Sequence, residues 1–154
     1  MAYAVIRVRG QPDVNYNIQH TMMLLGVNKV NHCVIVPEND CTKGMLQVAK
    51  DYITWGEVSE ETLVALLRAR GKVAGDDDLT DDYLKEKSAF GSIEELAKAV
   101  IENDYKLKDV EGVKGVIRLH PPVKGYEGNK RSYKNGGALG YRGEAINDLI
   151  NRML

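Results

Sequence analysis

The amino-acid sequence predicts an α+β fold whose first third runs in the order β-α-β-α-β. Residues near the N-terminus alternate with a period of two, apolar residues at helical spacing recur twice, and short β-branched runs lie between these segments. Helical spacing continues through the middle of the chain. A last strand and a last helix then flank a glycine-rich basic segment.

The first strand is predicted at AYAVIRVRG, residues 2–10. Ala4, Ile6 and Val8 alternate there with residues that include Arg7 and Arg9, which is the pattern of a half-buried strand. Because successive side chains of a strand point to opposite faces, the two arginines are expected to share one face.

The first helix and the second strand are predicted over residues 15–37. In NYNIQHTMMLLG the asparagines can cap a helix, Ile18, Met22 and Leu25 fall on one face, and Gly26 ends it. The following NHCVIVP is short, β-branched and ended by Pro37, which predicts a strand.

The second helix and the third strand are predicted directly after it. CTKGMLQVAKDY places Met45, Val48 and Ala49 on one helical face, although Gly44 is an unfavourable residue near its start. YITWG consists mainly of strand-forming residues and closes the βαβαβ unit.

The middle third is predicted to be helical. SEETLVALLRARG begins at an N-cap, Ser59, and ends at Gly71, and SIEELAKAVIEND carries a capping box of Ser92 and Glu95. The acidic run GDDDLTDDY between them is interpreted as a solvated loop.

The last third is predicted to contain one strand and one helix. KGVIRLH predicts the strand, and GEAINDLINRML places Ile146, Leu149, Ile150 and Met153 on one face of an amphipathic helix. The chain therefore divides into a βαβαβ core at residues 1–57, an acidic helical insertion at 58–112, and a basic strand, extended arm and helix at 113–154.

Charge is distributed unevenly along a chain whose formal net charge is only −1. The net charge is +1 over residues 1–56, −7 over residues 57–112 and +5 over residues 113–154. Such asymmetry indicates a nucleic-acid surface at one end, although charge blocks also serve solvation alone. With two cysteines and no apolar run of 18 residues, the chain is expected to be intracellular, without a signal peptide or a membrane span.

No catalytic or metal-binding pattern survives inspection, so no enzyme activity, cofactor or metal is expected. His32 and Cys33 are neighbours in a strand and point to opposite faces. Counted from Asp76 as a calcium loop, position 6 is Asp81 where glycine is required. The GGALG segment follows a polar basic stretch and not the apolar strand of a dinucleotide site.

The arm LHPPVKGYEGNKRSYKNGGALGYR, residues 119–142, has a composition that favours a polyanion. Its five lysines and arginines can pair with phosphates, and its tyrosines can stack on unpaired bases while its glycines allow close approach to a sugar-phosphate chain. These residues are Lys124, Lys130, Arg131, Lys134 and Arg142, interleaved with Tyr126, Tyr133 and Tyr141. The arm is expected to become ordered on RNA; a floppy surface loop is the alternative.

Residues 21–56, TMMLLGVNKVNHCVIVPENDCTKGMLQVAKDYITWG, resemble the large-subunit ribosomal protein family called L-thirty in bacteria and L-seven in eukaryotes. The resemblance rests on a helix ending in Leu-Leu-Gly, then Lys29 and His32, a strand, Lys43-Gly44-Met45 and Tyr52-Ile53. Val27 departs from the expected leucine or isoleucine. The additional helices and the ending after His120-Pro-Pro resemble the long archaeal and eukaryotic form, so the resemblance covers essentially the whole chain.

The resemblance implies a ferredoxin-like βαβαβ core with an added helical segment and a C-terminal arm plus helix. It also implies a cytoplasmic, non-enzymatic structural protein of the large ribosomal subunit, whose partners are ribosomal RNA and neighbouring ribosomal proteins, with no membrane and no small-molecule substrate. The residues expected to contact RNA are Arg7, Arg9, Lys29, His32, Lys43, Gly44, Arg118, His120, Lys124, Tyr126, Lys130, Arg131, Tyr133, Lys134 and Arg142. A buried structural role stays open for His32.

The main alternative is a small regulatory or metabolite-binding α+β domain that uses the open face of the sheet and GGALG for an anion. An enzyme would need a cleft with a perturbed titrating group. A protein-interaction module that uses the C-terminal helix is a further alternative, although such apolar stripes more often belong to the core.

Overall fold

The computed structural model describes residues 2–10, 12–75, 77–88, 90–102, 112–128 and 130–154. Within these residues, helices and strands follow one another along the chain as β1 (Ala2–Arg7), α1 (Tyr16–Leu25), β2 (His32–Pro37), α2 (Asp40–Val48), β3 (Ile53–Glu57), α3 (Glu60–Arg70), α4 (Asp81–Lys87), α5 (Ile93–Ile101), β4 (Val116–Arg118), β5 (Gly140–Tyr141) and α6 (Ala145–Met153). A short 3-10 turn, Tyr133–Asn135, precedes β5.

The described strands form one sheet in the order β4-β2-β1-β3-β5. The central strand β1 is antiparallel to both β2 and β3, β4 extends the sheet antiparallel to β2, and β5 runs parallel to β3. The α+β class and the βαβαβ core predicted from the sequence are confirmed, and the C-terminal third adds one strand to each edge of that core.

Helices cover both faces of the sheet, which corrects the expectation that β1 is half-buried. Every residue of β1 is buried. Tyr3 and Val5 pack into an apolar cluster with residues of α1 and α2, whereas Ala4 and Ile6 pack into a second cluster with residues of α3, α4, α5 and α6. Arg7 is consequently buried with the rest of its strand.

Local sequence signals explain the first two helices. The Asn15 side chain accepts a hydrogen bond from the Asn17 amide at the start of α1, and Gly26 ends the helix with a φ of 95°, a conformation that glycine adopts at low cost. In α2 the expected apolar face is partly wrong. Val48 is 49% exposed, whereas Leu46 and Ala49 are fully buried.

The middle third contains a helix in part of the acidic run, where the sequence predicts a solvated loop. Helix α4 begins after Thr80, whose hydroxyl accepts a hydrogen bond from the Tyr83 amide, and Asp81 and Asp82 occupy its first turn, where the helix dipole favours acidic residues. Asp76, at the start of the run, and residues 103–104, at the end of the predicted α5 segment, lie outside the described residues.

The predicted capping box at the start of α5 is confirmed only in part. The Ser92 hydroxyl accepts a hydrogen bond from the Glu95 amide at 3.3 Å. The Glu95 carboxylate accepts a hydrogen bond from the Gly91 amide at 2.8 Å. In a complete capping box it would accept one from the Ser92 amide.

The C-terminal helix α6 joins the segments into a common core. Ile146, Leu149, Ile150 and Met153 are all buried, as the sequence predicts. They belong to the same apolar cluster as Ile6 of β1 and residues of α3 and α5. The arm that precedes α6 is held against the sheet by β5.

Candidate nucleic-acid interface

One end of the sheet gathers most of the basic residues of the core. The strand β1 ends there, β2 begins there and β4 ends there, because β1 pairs antiparallel with β2 and β2 with β4. We call this surface the basic sheet end and define it by five residues: Arg7, Arg9, Lys29, His32 and Arg118.

Arg7 is only 1% exposed and lies beneath the surface of the basic sheet end. Its guanidinium donates hydrogen bonds to the backbone carbonyls of Arg9 at 2.8 Å and of Val27 and Asn28 at 3.0 Å each. Burial lowers the pKa of Arg7 from its ordinary value. Arg7 is therefore inaccessible to RNA in this fold, and it fixes the turn that carries Lys29.

His32 is half-buried at the centre of this surface. It pairs across the strands with Arg118, and its Nδ1 is buried and has no hydrogen-bond partner among the described residues. Burial first, and then the positive charges of Arg118, Lys29 and Arg7, lower the pKa of His32. The imidazole thus sits in a field of positive charge that an anion would relieve.

The remaining cations of the basic sheet end are accessible to a ligand. Lys29 and Arg118 are exposed, and among the described residues neither has a carboxylate partner. Arg9 lies over the ring of Tyr52, with its guanidinium carbon 4.9 Å from the ring centroid. This cation–π contact holds the guanidinium in place while leaving its charge unneutralised.

The arm crosses the core next to this surface. The Tyr126 hydroxyl donates a hydrogen bond to the Asn31 side chain at 2.6 Å, and its ring packs against a small cluster of Val8, Ala138 and Leu139. Burial raises the pKa of Tyr126. Tyr126 therefore packs the arm against the protein itself.

Arg142 is the second buried arginine, with a side chain only 2% exposed. Its guanidinium donates hydrogen bonds to the Thr54 hydroxyl and the Ala138 carbonyl, both at 2.8 Å. It lies 3.8 Å from the Glu127 carboxylate and stacks over the Tyr133 ring at 5.0 Å. Burial lowers the pKa of Arg142. Arg142 therefore fastens the arm to β3 and is inaccessible to RNA.

The outer face of the arm is exposed and basic. We call it the outer arm and define it by its exposed residues: Lys124, Lys130, Arg131, Tyr133 and Lys134. Tyr133, at 41% exposure, has one ring face against Arg142. His120 is also exposed, and its amide donates to the Met153 carbonyl at 3.0 Å.

Lys43 and Gly44 lie apart from these residues. Both are on α2, which begins after the far end of β2, and the six residues of β2 span about 17 Å. The Lys43 amino group lies 3.6 Å from the Glu38 carboxylate. A methyl group at Gly44 would meet nothing within 4 Å, so Gly44 is open to close approach.

The backbone amides of the GGALG segment are hydrogen-bonded to carbonyls within the arm. This removes the anion site of the metabolite-binding alternative. Four successive amides, those of residues 136 to 139, donate to the carbonyls of Tyr133, Ser132, Gly128 and Arg131. These amides are directed at protein and are not presented to a ligand.

Among the described residues, no three His, Cys, Asp or Glu side chains meet as a metal site. In the same part of the chain, no helix has both the length and the apolar character needed to cross a membrane. Cys33 is fully buried, and burial raises the pKa of its thiol to about 12.

Sequence reasoning missed one basic surface. Arg70, Lys72, Lys114 and Arg118 line a groove with Val116 along the outer side of β4. The alternation of Lys114, Val116 and Arg118 was a signal for part of it. Arg70 and Lys72 carried no such signal, because they belong to the acidic third of the chain.

Comparison with known proteins gives consistent matches. The family described as ribosomal protein L30p/L7e matches residues 3–53. A protein of Methanobrevibacter smithii named large ribosomal subunit protein uL30 is 50% identical over 152 residues, which cover 99% of each chain. Proteins of the same name from Methanosphaera stadtmanae and Methanococcus maripaludis are 47% and 48% identical, and the matches cover 99% and 100% of each chain.

Proposed function

The chain belongs to the ribosomal protein L30p/L7e family and is a structural protein of the large ribosomal subunit, and we propose that it holds ribosomal RNA through the basic sheet end and the outer arm. The family role is structural and not catalytic. Within the cytoplasmic ribosome, the partners of these surfaces are the phosphate and sugar groups of the large-subunit RNA.

The observation that carries this proposal is the adjacency of two accessible basic surfaces. Tyr126 of the arm is hydrogen-bonded to Asn31, which lies between Lys29 and His32. The outer arm is thereby anchored beside the basic sheet end. Phosphates neutralised by such fixed cations release condensed counterions, which supplies most of the affinity for nucleic acid.

Two buried arginines support the mechanism by holding these surfaces in place. Arg7 fixes the turn before His32 through the carbonyls of Val27 and Asn28, and Arg142 fixes the arm through Thr54 and Ala138. Because the accessible cations are positioned before RNA arrives, little ordering entropy opposes binding. Contacts are expected mainly to phosphate and sugar, since A-form RNA is recognised chiefly by its shape and backbone.

Helices α3, α4 and α5 form an acidic helical layer, which is expected to lie away from the RNA. Acidic residues fill the first turns of α3, α4 and α5, and phosphate groups would be repelled by them. This layer faces solvent or a neighbouring ribosomal protein in the proposal.

The experiment that tests the proposal is a salt titration of binding to large-subunit ribosomal RNA. The variant Lys130→Ala/Arg131→Ala/Lys134→Ala removes three cations from the outer arm. Each lost phosphate contact lowers the slope of log affinity against log salt by about 0.7–0.9, so the slope is expected to fall by roughly 2–2.7 if all three residues bind phosphate.

A matched variant controls for net charge. Lys85→Ala/Lys87→Ala/Lys98→Ala removes the same charge from exposed positions on α4 and α5. It should bind RNA with the slope of the unmodified chain. An outer-arm variant that matched this control would remove the outer arm from the binding surface, and a chain that bound no RNA even at low salt would refute the proposal as a whole.

A further inference from the structure

We propose that a pocket beside β5 receives a single unpaired base of ribosomal RNA, an inference that deepens the proposed function and rests on it. We call it the base pocket and define it by six of the residues that line it: Gln47, Lys50, Trp55, Tyr133, Lys134 and Tyr141. Three of these side chains are aromatic and two carry positive charge.

Strands β3 and β5 build one aromatic wall of the base pocket. Their parallel pairing sets Trp55 beside Tyr141, and the two ring centroids are 6.3 Å apart with planes inclined at 49°. This separation falls within the range of about 4.5–7 Å for stabilising aromatic pairs. The Tyr141 hydroxyl donates a hydrogen bond to the Glu57 carboxylate, which holds the ring in one orientation. Trp55 is only 8% exposed and Tyr141 is 44% exposed, so the wall has a fixed base and an accessible outer ring.

The arm closes the other side of the base pocket with the ring of Tyr133. The Tyr133 amide donates a hydrogen bond to the Leu139 carbonyl at 2.7 Å, and a parallel bridge between Ser132 and Leu139 holds the same turn. One face of the Tyr133 ring lies against the Arg142 guanidinium, 5.0 Å from its centroid. The opposite face is left for a planar ligand.

The size of the base pocket suits one ring system. Its volume is about 260 Å³, whereas sites that enclose drug-sized ligands have volumes of about 300–1,000 Å³. Gly140 also lines the pocket, and a methyl group at this position would meet nothing within 4 Å. A planar ligand can therefore approach the backbone of β5 closely. These dimensions favour a single base over a dinucleotide or a larger cofactor.

The polar residues of the base pocket match the rest of a nucleotide. Lys50 follows the end of α2 and Lys134 lies in the 3-10 turn, and both side chains are exposed. A nucleotide whose base enters the pocket carries a phosphate on either side of its ribose, and these two cations can pair with them. The exposed amide of Gln47 can both donate to and accept from the edge of the base.

The base pocket connects the basic sheet end with the outer arm. Lys50 precedes Asp51, whose carbonyl accepts a hydrogen bond from the Arg9 guanidinium at 3.4 Å, and Tyr133 and Lys134 belong to the outer arm. An RNA strand that contacts both surfaces can therefore place a base in the pocket. RNA-binding proteins commonly recognise single-stranded loops and bulges in this way, by stacking splayed bases on aromatic side chains.

The first test uses the fluorescence of Trp55 in the unmodified chain. Trp55 is the only tryptophan of the sequence, so its emission reports directly on the base pocket. The chain is titrated at low salt with a short oligoadenylate and with an abasic ribose-phosphate oligomer of the same length and charge. The oligoadenylate is expected to change the emission to a saturating value, and the abasic oligomer to leave it unchanged. Equal changes with the two oligomers, or no change with oligoadenylate, would overturn the base pocket.

The second test separates stacking from packing at Tyr133. Tyr133→Leu removes the aromatic ring, and Tyr133→Phe, the matched control, keeps it; neither changes the net charge. Tyr133→Leu is expected to bind large-subunit ribosomal RNA about 5- to 150-fold more weakly with an unchanged salt slope, and Tyr133→Phe to bind like the unmodified chain. Equal affinities for these two variants would count against the base pocket. Thermal unfolding shows whether Tyr133→Leu is folded, and the fluorescence titration decides the question if it is not.

The outcomes distinguish this inference from the proposed function. If the unmodified chain binds ribosomal RNA with a salt-dependent affinity while the two Tyr133 variants bind alike, the RNA-binding proposal stands and the base pocket is refuted. If the unmodified chain binds no ribosomal RNA at low salt, both are refuted.

Discussion

The two halves of the arm use the same residue types for opposite purposes. We call Tyr126 and Arg142 the anchored half, because their side chains are directed inward, to Asn31, Thr54 and Ala138. In the outer arm, lysine, arginine and tyrosine side chains are exposed. Composition alone marks both halves as polyanion-binding, but only packing distinguishes the cations that build the surface from those that remain available to RNA.

The difference follows from what each guanidinium contacts. Removing one partner of a buried charged network leaves uncompensated polar groups and costs several kcal/mol. An exposed arginine changes stability by no more than about 0.5 kcal/mol when it is replaced. Stability and RNA affinity should therefore respond to different residues within one segment of 24 positions.

The largest expected effect is the loss of stability on Arg142→Ala. The substitution leaves the Ala138 carbonyl and the Thr54 hydroxyl without their donor and opens a cavity beside β3. Urea unfolding should show a loss of about 2–4 kcal/mol. Arg131→Ala, the matched control, should stay within about 0.5 kcal/mol of the unmodified chain. Similar losses for the two variants would contradict the division of the arm into an anchored and an outer half.

A smaller loss is expected from Gly137→Ala. A methyl group at Gly137 would lie 2.0 Å from the Arg131 backbone carbonyl oxygen, so the turn that presents the outer arm must shift. A loss of about 1–3 kcal/mol in the free energy of unfolding is expected. Gly44→Ala is the control, because its methyl group meets nothing and alanine favours the helix by about 0.5–1 kcal/mol. The RNA affinity of Gly44→Ala is measured in parallel, and it will fall if Gly44 lies against RNA.

The smallest expected effect is a pH dependence of stability that arises from His32. Burial and the charges of Arg118, Lys29 and Arg7 lower the pKa of His32 below its ordinary value of 6.5. The unfolded chain therefore takes up a proton near pH 6.5 that the folded chain does not yet bind. Stability should be full above this pH and should fall as the pH drops through it, by at most about 1.4 kcal/mol per pH unit.

The control for His32 is a second histidine in the same molecule. His32→Gln should flatten the fall between pH 7.5 and 5.5, whereas His20→Gln, at an exposed position on α1, should leave it in place. Unfolding free energies measured in urea at several pH values decide between them. A fall that persists in His32→Gln would assign the pH dependence to other groups.

Local signals made much of the fold predictable from sequence. Asn15, Gly26 and Ser92 act within a few residues of their own position, and the helices that they delimit were predicted close to their observed bounds. Helix α4 was missed because it has only two turns inside an acidic run. Strand β5 was missed because its two residues become a strand only through pairing with β3.

The site was less predictable, because it depends on contacts between distant residues. Arg142 and Thr54 are 88 residues apart, so no local pattern could show that Arg142 is buried. Arg7 was expected on an exposed face because a second helical layer over β1 could not be read from an alternating strand. The groove beside β4 depends on the pairing of Lys72 with Lys114, which the sequence does not reveal.

The central claim is that RNA covers the basic sheet end and the outer arm, and leaves the acidic helical layer exposed. Lysine acylation followed by mass spectrometry, with and without large-subunit ribosomal RNA, tests it most directly. Lys29, Lys130 and Lys134 are expected to be protected, and the labelling of Lys85, Lys87 and Lys98 is expected to be unchanged. Protection of the second group in place of the first, or equal protection of both, would contradict it.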